Sequence, residues 1–226
     1  MSTLTNALQS QVGRKLITGI TGLGLVLFII VHLIGNLTYF AGQEAYNQYS
    51  HFLHETGWLL HLARAGLLVF FLFHVVLGLS IWLNKRKARP EGYKSYASRG
   101  EPSRQGWSAR SMIFTGVILF VFVVFHLNTF ALGDHDTATH GGVEMTDIYT
   151  SMSKVFQSEF YVVFYLAVMI LLGMHLRHGV WSSFQSLGWT SPKSSPVIYS
   201  IAYVFGVVIA VGFISLPLYI YFFIQV

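Results

Sequence analysis

Hydrophobic residues are gathered into five long runs that are separated by short polar stretches. The runs cover about residues 16–40, 58–83, 111–132, 160–182 and 197–225. A helix needs about 20 apolar residues to cross the hydrocarbon core of a bilayer, and each run is long enough. The pattern therefore predicts an all-α integral membrane protein with five spans. Residues 1–226 are predicted to form a single membrane domain, because every loop is short.

Composition supports this interpretation and removes several other classes of protein. Hydrophobic residues make up 54% of the chain and charged residues only 10%, with a mean hydropathy of +0.57, which is too few charges to solvate a globule. The net charge is +5, but the basic residues lie in clusters between the apolar runs, which argues against nucleic-acid binding. The absence of cysteine excludes disulfides, iron–sulfur ligation and covalent haem attachment.

Lysine and arginine are concentrated on one side of the predicted topology. That side carries Arg14, Lys15, Lys85, Arg86, Lys87, Arg89, Lys94, Arg99, Arg104, Arg110 and Lys193. The opposite side has only Arg64 and Lys154. The positive-inside rule therefore predicts a cytoplasmic amino terminus and an external carboxyl terminus. The second loop, residues 84–110, is either a topology signal in contact with lipid headgroups or a docking surface for a cytoplasmic partner.

Five histidines lie inside the predicted spans, where ionisable side chains are rare and costly. They are His32, His74, His126, His175 and His178. At about 1.5 Å of helical rise per residue, His32 and His126 share an outer depth roughly 24–27 Å from the cytoplasmic side. His74 and His175 share an inner depth. These four form two pairs, one above the other, and each pair is drawn from two helices.

Two pairs of facing imidazoles at two depths are the ligand set of two six-coordinate haems. Because the chain has no cysteine, the haems would be non-covalent and hence b-type. Glycines near the histidines would leave room for the macrocycles, although small-residue packing between membrane helices explains them equally well. These glycines are Gly19, Gly22, Gly24, Gly78, Gly116, Gly173 and Gly179.

Two other uses of the buried histidines are less favoured by the pattern. A mononuclear zinc site needs three or four ligands at one depth, whereas each depth offers two, with His178 as an extra at the inner one. A proton relay would usually include a carboxylate within the membrane, and none accompanies these histidines. The sequence therefore predicts a bundle of five helices around two stacked b-type haems.

The same residues resemble the cytochrome b membrane-anchor subunit of succinate:quinone oxidoreductases, in its five-helix, two-haem, single-polypeptide form. The resemblance covers nearly the whole chain. It includes Gly13-Arg14-Lys15-Leu16, His32-Leu33 with Asn36, Glu44-Ala45-Tyr46-Asn47 with His51-Phe52, Phe73-His74 and Phe125-His126. The most specific part is His175-Leu176-Arg177-His178-Gly179-Val180-Trp181-Ser182-Ser183-Phe184.

This resemblance assigns roles to individual residues. It implies that His32 and His126 are axial ligands of the outer, distal haem iron, and that His74 and His175 are those of the inner, proximal one. The ligand in the fourth span is expected at His175, four residues before the glycine. Arg177 and His178 are then candidate contacts of a haem propionate, or residues that face lipid headgroups.

The resemblance also implies a function as a subunit of succinate dehydrogenase or fumarate reductase, the respiratory complex II of the tricarboxylic acid cycle. Partner flavoprotein and iron–sulfur subunits, which carry FAD and the clusters, would bind on the cytoplasmic face of the bacterial inner membrane. Electrons from succinate would pass through both haems to a quinone, with menaquinone expected. The chain itself would not act on succinate.

Quinone reduction consumes protons, so an acid–base side chain near the outer haem is expected. His54 and Glu55 fall nearest the place where some relatives use a glutamate, and a solvated loop is the alternative for both. Relatives that return protons across the membrane carry a glutamate two residues before the fourth-span ligand. Gly173 stands there, which makes that proton path doubtful.

Two other functions stay open at the level of sequence. The chain could be a dihaem subunit that serves another quinone-linked dehydrogenase, such as a hydrogenase or formate dehydrogenase. It could also be a haem-free transporter or structural anchor that uses its histidines for proton transfer or packing. A haem absorbance spectrum separates the second of these from both cytochrome interpretations.

Overall fold

A computed structural model describes residue 6, residues 10–88, residue 91 and residues 107–225. Five of its helices are long and apolar enough to cross a membrane, which confirms the five predicted spans. They are α1 (Gln11–Leu37), α3 (Trp58–Ala88), α5 (Met112–Phe130), α7 (Glu159–Ser186) and α8 (Ser195–Phe223). Most of the second loop, and with it the predicted docking or headgroup surface, lies outside the described residues. The short helix α4 (Trp107–Arg110) leads into α5.

Four of these helices form a ring, and the fifth covers one side of it. Helix α1 packs along α3 and α7, α5 packs along α7, and α3 contacts α5 lightly. Neither diagonal of the ring, α1 to α5 or α3 to α7, is closed by comparable packing in the described part of the chain. Helix α8 lies against α7 over most of its length. The ring therefore has a central space that no backbone fills.

The buried core lies on the side of α7 and α8. Ala202 and Ile220 of α8 are fully buried, and a Cβ atom at Gly173 would lie 2.8 Å from the carbonyl oxygen of Gly206. Glycines at such a crossing allow two backbones to approach closely. Gly173 was one of the glycines expected to make room beside His175, and the structure shows instead that it packs α7 against α8. In contrast, no residue of α3 is buried.

The two ends of the ring differ in character. The basic end carries Arg14, Arg110 and the run Lys85–Lys87 at the end of α3. The opposite end, here called the hairpin end, is covered by the folded loops that join the spans. These comprise a 3-10 turn (Thr38–Ala41), α2 (Gln43–Glu55), β1 (Thr137–His140), β2 (Val143–Thr146) and α6 (Ile148–Phe156).

The hairpin corrects the all-α prediction in one detail. Strands β1 and β2 pair antiparallel with His140 opposite Val143, and Gly141 and Gly142 join them with φ angles of 60° and 79°. Positive φ at both central residues is what a tight two-residue hairpin turn requires, and glycine adopts it without strain. The local sequence signal for this turn is the Gly141-Gly142 pair.

A buried carboxylate holds the folded loops of the hairpin end together. Asp147 accepts hydrogen bonds from Asn47 Nδ2 at 2.9 Å, from Gln43 Nε2 at 2.8 Å and from the amide of Thr150 at 3.0 Å. The first two donors belong to α2, whereas the third belongs to the first turn of α6. Because α2 and α6 lie about a hundred residues apart in sequence, this contact joins the loop between α1 and α3 to the loop between α5 and α7.

Candidate functional site

The structure brings together the two histidines that were predicted to share the outer depth. His32 of α1 and His126 of α5 lie across one open diagonal of the ring, with their ring centroids 5.8 Å apart. We call them the hairpin-end pair. Aromatic rings surround them, since Phe28 stacks on His32 at 5.2 Å and Phe122 stacks on His126 at 5.5 Å.

The two histidines that were predicted to share the inner depth also face each other. His74 of α3 and His175 of α7 lie across the other open diagonal, and their ring centroids are 6.3 Å apart. We call them the basic-end pair. The four helices of the ring thus contribute one histidine each, and each pair bridges two helices whose backbones are not packed together.

The spacing within each pair fits a metal ion bound between two imidazoles. An imidazole nitrogen binds a transition metal at about 2.0 Å, so two ligands on opposite sides place their nitrogens about 4 Å apart and their ring centroids roughly 6 Å apart. The observed separations of 5.8 and 6.3 Å match that value. Among the described residues, no three metal-binding side chains come together, so these pairs offer two protein ligands and no more.

In three of the four imidazole rings, the nitrogen Nδ1 lies within hydrogen-bond distance of an oxygen atom. His175 Nδ1 lies 3.0 Å from the hydroxyl of Thr115, His126 Nδ1 lies 3.1 Å from the hydroxyl of Tyr165, and His74 Nδ1 donates to the carbonyl of Thr18 at 3.3 Å. Metal-bound histidines usually donate their other N–H to such an acceptor. In this arrangement Nε2 keeps the lone pair that a metal needs.

His32 reaches the same protonation state by another route. The side-chain amide of Asn36 donates to the carbonyl of His32 at 2.8 Å, and its nitrogen lies 3.4 Å from His32 Nε2. An amide N–H can only donate, so Nε2 is the acceptor here. Asn36 must release this nitrogen before its lone pair can bind a metal. Tyr46 of α2 donates to Asn36 Oδ1 at 3.3 Å, which connects the folded loops of the hairpin end to the hairpin-end pair.

Two glycines on the other diagonal lie beside the basic-end pair. A Cβ atom at Gly22 of α1 would lie 3.1 Å from His74 Cε1, and one at Gly116 of α5 would lie 3.6 Å from His175 Cε1. Each glycine precedes the histidine of its own helix by ten residues, so α1 and α5 repeat one spacing. Because both residues are glycines, α1 and α5 can approach the imidazoles of the basic-end pair closely.

The other glycines have different surroundings. A Cβ at Gly78 or Gly179 would meet no atom within 4 Å, so there is open space beside both basic-end helices. Gly24 instead receives the ring of Phe70 from α3, because a Cβ there would lie 2.2 Å from Phe70 Cε2. Gly19 lies in ordinary contact with Ser183 at 3.6 Å. Open space is therefore present beside Gly78 and Gly179, whereas Gly19 and Gly24 lie in contact with neighbouring helices.

Arg177 and His178 follow His175 on α7 and point to different partners. The guanidinium of Arg177 donates to the hydroxyl of Tyr199 and lies over the rings of Tyr199 and Tyr203, so it packs against α8. Its Nε is buried and makes no hydrogen bond to any described residue, which leaves one donor for an anion such as a propionate. His178 is half-buried, and no ring contact in the described chain pairs it with another histidine.

His54 and Glu55, the candidates for the quinone site, lie at the exposed end of α2. Glu55 accepts from His51 Nε2 at 3.3 Å, one helical turn away. Partial burial lowers the pKa of His54, with a further contribution from the positive charge of Arg64. No contact within the described residues connects either side chain to the hairpin-end pair.

Sequence reasoning missed the hydrogen-bond partners of the histidines. Thr115, which is almost fully buried, and Tyr165 are sixty and thirty-nine residues away from the rings that they contact. The available signal was helical spacing: Thr115 comes directly before Gly116, eleven residues before His126 on one helix, and Tyr165 precedes His175 by ten on another.

Comparison with known proteins supplies no relative of this chain. No family model, no curated protein sequence and no solved structure matches it. Any functional conclusion therefore depends on the residues themselves and on the geometry of the two histidine pairs.

Proposed function

We propose that this chain is a dihaem cytochrome b that anchors a succinate dehydrogenase or fumarate reductase in the membrane and exchanges electrons with a quinone. The observation that carries the proposal is the double pairing of histidines across the open diagonals, with centroid distances of 5.8 and 6.3 Å. The resemblance of the sequence to the anchor subunits of succinate:quinone oxidoreductases supports the assignment of the two histidine pairs to this type of protein.

In the proposed site, each bound haem supplies one reversible one-electron step. His32 and His126 would hold one iron, and His74 and His175 would hold the other. With two histidines for each iron, the bound group would pass electrons and would not bind oxygen or substrate. Phe28 and Phe122 stack on the two imidazoles of the hairpin-end pair, so the protein's part in the chemistry would be to hold and orient the bound group.

The vertical distance between the two sites is set by the helices that carry them. On α5, Thr115 lies at the level of the basic-end pair and His126 at the level of the hairpin-end pair, so eleven residues separate the levels by roughly 16 Å. On α7, Tyr165 and His175 give ten residues and roughly 15 Å. Electrons would therefore cross one gap of roughly 15–16 Å between the two levels.

The distribution of basic residues gives the proposed electron relay a direction across the membrane. The basic end would face the cytoplasm under the positive-inside rule, and it would meet the iron–sulfur and flavoprotein subunits there. The hairpin end would then face outward, with the quinone close to His32 and His126. His54 and Glu55 remain candidates for the quinone site on the resemblance alone, and menaquinone remains the expected quinone.

The decisive experiment is a dithionite-reduced minus oxidised spectrum and a pyridine haemochrome assay on the purified chain. Two b-type haems per chain are expected. His32→Ala and His74→Ala should each remove one haem or convert it to the high-spin form, and the two losses should concern different haems. A protein without haem absorbance would return the chain to the class of haem-free transporters or anchors.

A matched pair of variants tests the choice of ligand in α7. His175→Ala should lose the basic-end haem, because the His175 ring faces His74. His178→Ala, three residues further along the same helix, should keep both haems and the low-spin spectrum. The reverse result would move the ligand to His178 and refute the assignment of His175.

A further inference from the structure

Helices α5 and α7 are joined at two levels by hydrogen bonds that run in opposite directions. At the basic end, α5 provides the hydroxyl of Thr115 and α7 provides His175. At the hairpin end, α7 provides the hydroxyl of Tyr165 and α5 provides His126. Each helix thus contributes a histidine at one level and a hydroxyl at the other. The two residues are eleven positions apart on α5 and ten positions apart on α7.

The direction of the hydrogen bond at Thr115 follows from its other contacts. Its hydroxyl lies 3.1 Å from the carbonyl oxygens of Ser111 and Met112, and a carbonyl can only accept. The hydroxyl proton is therefore used there, so the oxygen accepts from His175 Nδ1–H. Since Thr115 is 1% exposed, no water replaces it as the partner of the imidazole.

Tyr165 has a comparable setting at the other level. It is buried, and its ring packs edge-on against Phe122 and Phe156 at centroid distances of 5.0 Å in each case. The two aromatic contacts hold the phenol oxygen 3.1 Å from His126 Nδ1. A neutral His126 that binds metal through Nε2 must carry its proton on Nδ1, so the phenol oxygen is its acceptor.

We propose that Thr115 and Tyr165 are positioning residues, each of which fixes the orientation and the tautomer of one axial histidine and thereby tunes one haem without affecting the other. The inference rests on the proposed function. An acceptor on Nδ1–H makes the imidazole a stronger donor to the metal, which favours the ferric state. Removal of the acceptor should therefore raise the midpoint potential of the haem at that level.

The test uses Thr115→Val and Tyr165→Phe, which remove a hydroxyl and change little else in shape. Redox titration and low-temperature electron paramagnetic resonance of the purified two-haem protein give the potential and ligand field of each haem. Thr115→Val should raise the potential of the basic-end haem only, and Tyr165→Phe that of the hairpin-end haem only. Loss of such a partner typically weakens metal binding about 10–100-fold. If the variant shifts the preference for the ferrous over the ferric state tenfold, the midpoint potential of the affected haem rises by about 59 mV for one electron.

Matched controls come from the same two helices. Thr129→Val on α5 removes a hydroxyl that donates only to the carbonyl of Phe125, and Tyr161→Phe on α7 removes a phenol whose ring contacts Phe160. Neither should shift either haem. Thr115→Ser should restore the parental potential, because it restores the acceptor.

Distinct results overturn this inference and the proposed function. If the parental protein binds two haems and Thr115→Val and Tyr165→Phe leave both potentials at the values of the controls, the positioning role is refuted and the cytochrome proposal stands. If each variant shifts both haems equally, independent tuning is refuted. If the parental protein binds no haem, the proposed function itself fails.

Discussion

The two sides of the helical ring are built in different ways. Helices α7 and α8 approach until Gly173 and Gly206 touch, and the residues between them are buried. Helix α3 is also long enough to span a membrane, but none of its residues is buried, and it contacts mainly α1. The α3 side buries much less of its surface against the described protein, and His74 lies on this less buried helix.

The largest expected effect comes from disturbing the close-packed side. A Cβ atom at Gly206 would lie 2.5 Å from the carbonyl oxygen of Gly173, and a backbone atom cannot move aside as a flexible side chain can. Gly206→Ala should therefore destabilise the protein by about 3 kcal/mol and lower its thermal midpoint in detergent.

The control for this substitution lies on α3. A Cβ at Gly66 would meet nothing within 4 Å, so Gly66→Ala should be neutral or should stabilise the helix by about 0.5–1 kcal/mol. Equal losses in the two variants would mean that α3 is packed as closely as α8, which contradicts the comparison.

The second expected effect is the dependence of α3 on bound haem. If haem replaces the missing contacts of α3, protein produced without haem should lose order there first. Amide hydrogen exchange in residues 62–84 should accelerate about tenfold in the haem-free protein, whereas exchange in α7 and α8 should change little, because local stability follows buried contacts. Uniform acceleration in all five spanning helices would refute this local role.

The sequence sufficed for the features that depend on one helix at a time. Hydrophobic run length predicted all five spans, and helical rise placed His32 with His126 and His74 with His175 at common depths. It could not show that Thr115 or Tyr165 contacts a histidine, because such a contact depends on how two helices are rotated about their axes. It also could not show that Gly173 packs against Gly206. A glycine that lets two helices pack closely and a glycine that leaves room for a bound group look the same in the sequence.

The folded loops of the hairpin end show the same limit. They were expected only to be short, and no local sequence pattern indicated that Asp147 joins α2 to α6 through partners that are far apart in sequence. Only the Gly141-Gly142 turn had a local signal. Long-range hydrogen bonds between polar side chains carry no periodicity, so the pattern of hydrophobic residues does not predict them.

A smaller effect should separate two glycines on α1. Gly22→Ala would bring a Cβ to 3.1 Å from the ring of His74, whereas Gly19→Ala would make an ordinary contact of 3.6 Å with Ser183. The imidazole must give way by a few tenths of an ångström in the first case, at a cost of about 1 kcal/mol. We expect Gly22→Ala to broaden or shift the spectrum of the basic-end haem alone, and Gly19→Ala to leave both spectra unchanged.

The smallest expected effect concerns the loops of the hairpin end and depends on pH. Burial by itself would raise the pKa of Asp147, but the hydrogen bonds from Asn47, Thr150 and Gln43 outweigh it and lower the pKa below the ordinary value. A carboxylate with a lowered folded-state pKa stabilises the protein fully above its unfolded-state pKa, about 3.9. That contribution disappears as the pH falls through the folded-state pKa.

Asp147→Asn should therefore lower stability by about 0.5–1 kcal/mol at pH 6, because asparagine still caps α6 but presents an amide N–H to one of the donors from α2. The difference from the parental protein should shrink as the pH falls below 4, when the carboxyl of Asp147 takes up its proton. Thermal melts at pH 6, 5, 4 and 3 measure this. Asp136→Asn is the control, since its ion pair with Lys154 at 2.7 Å is exposed to solvent and such pairs contribute little. A difference between Asp147→Asn and the parental protein that is constant across this pH range would show that the charge of Asp147 does not hold α2 to α6.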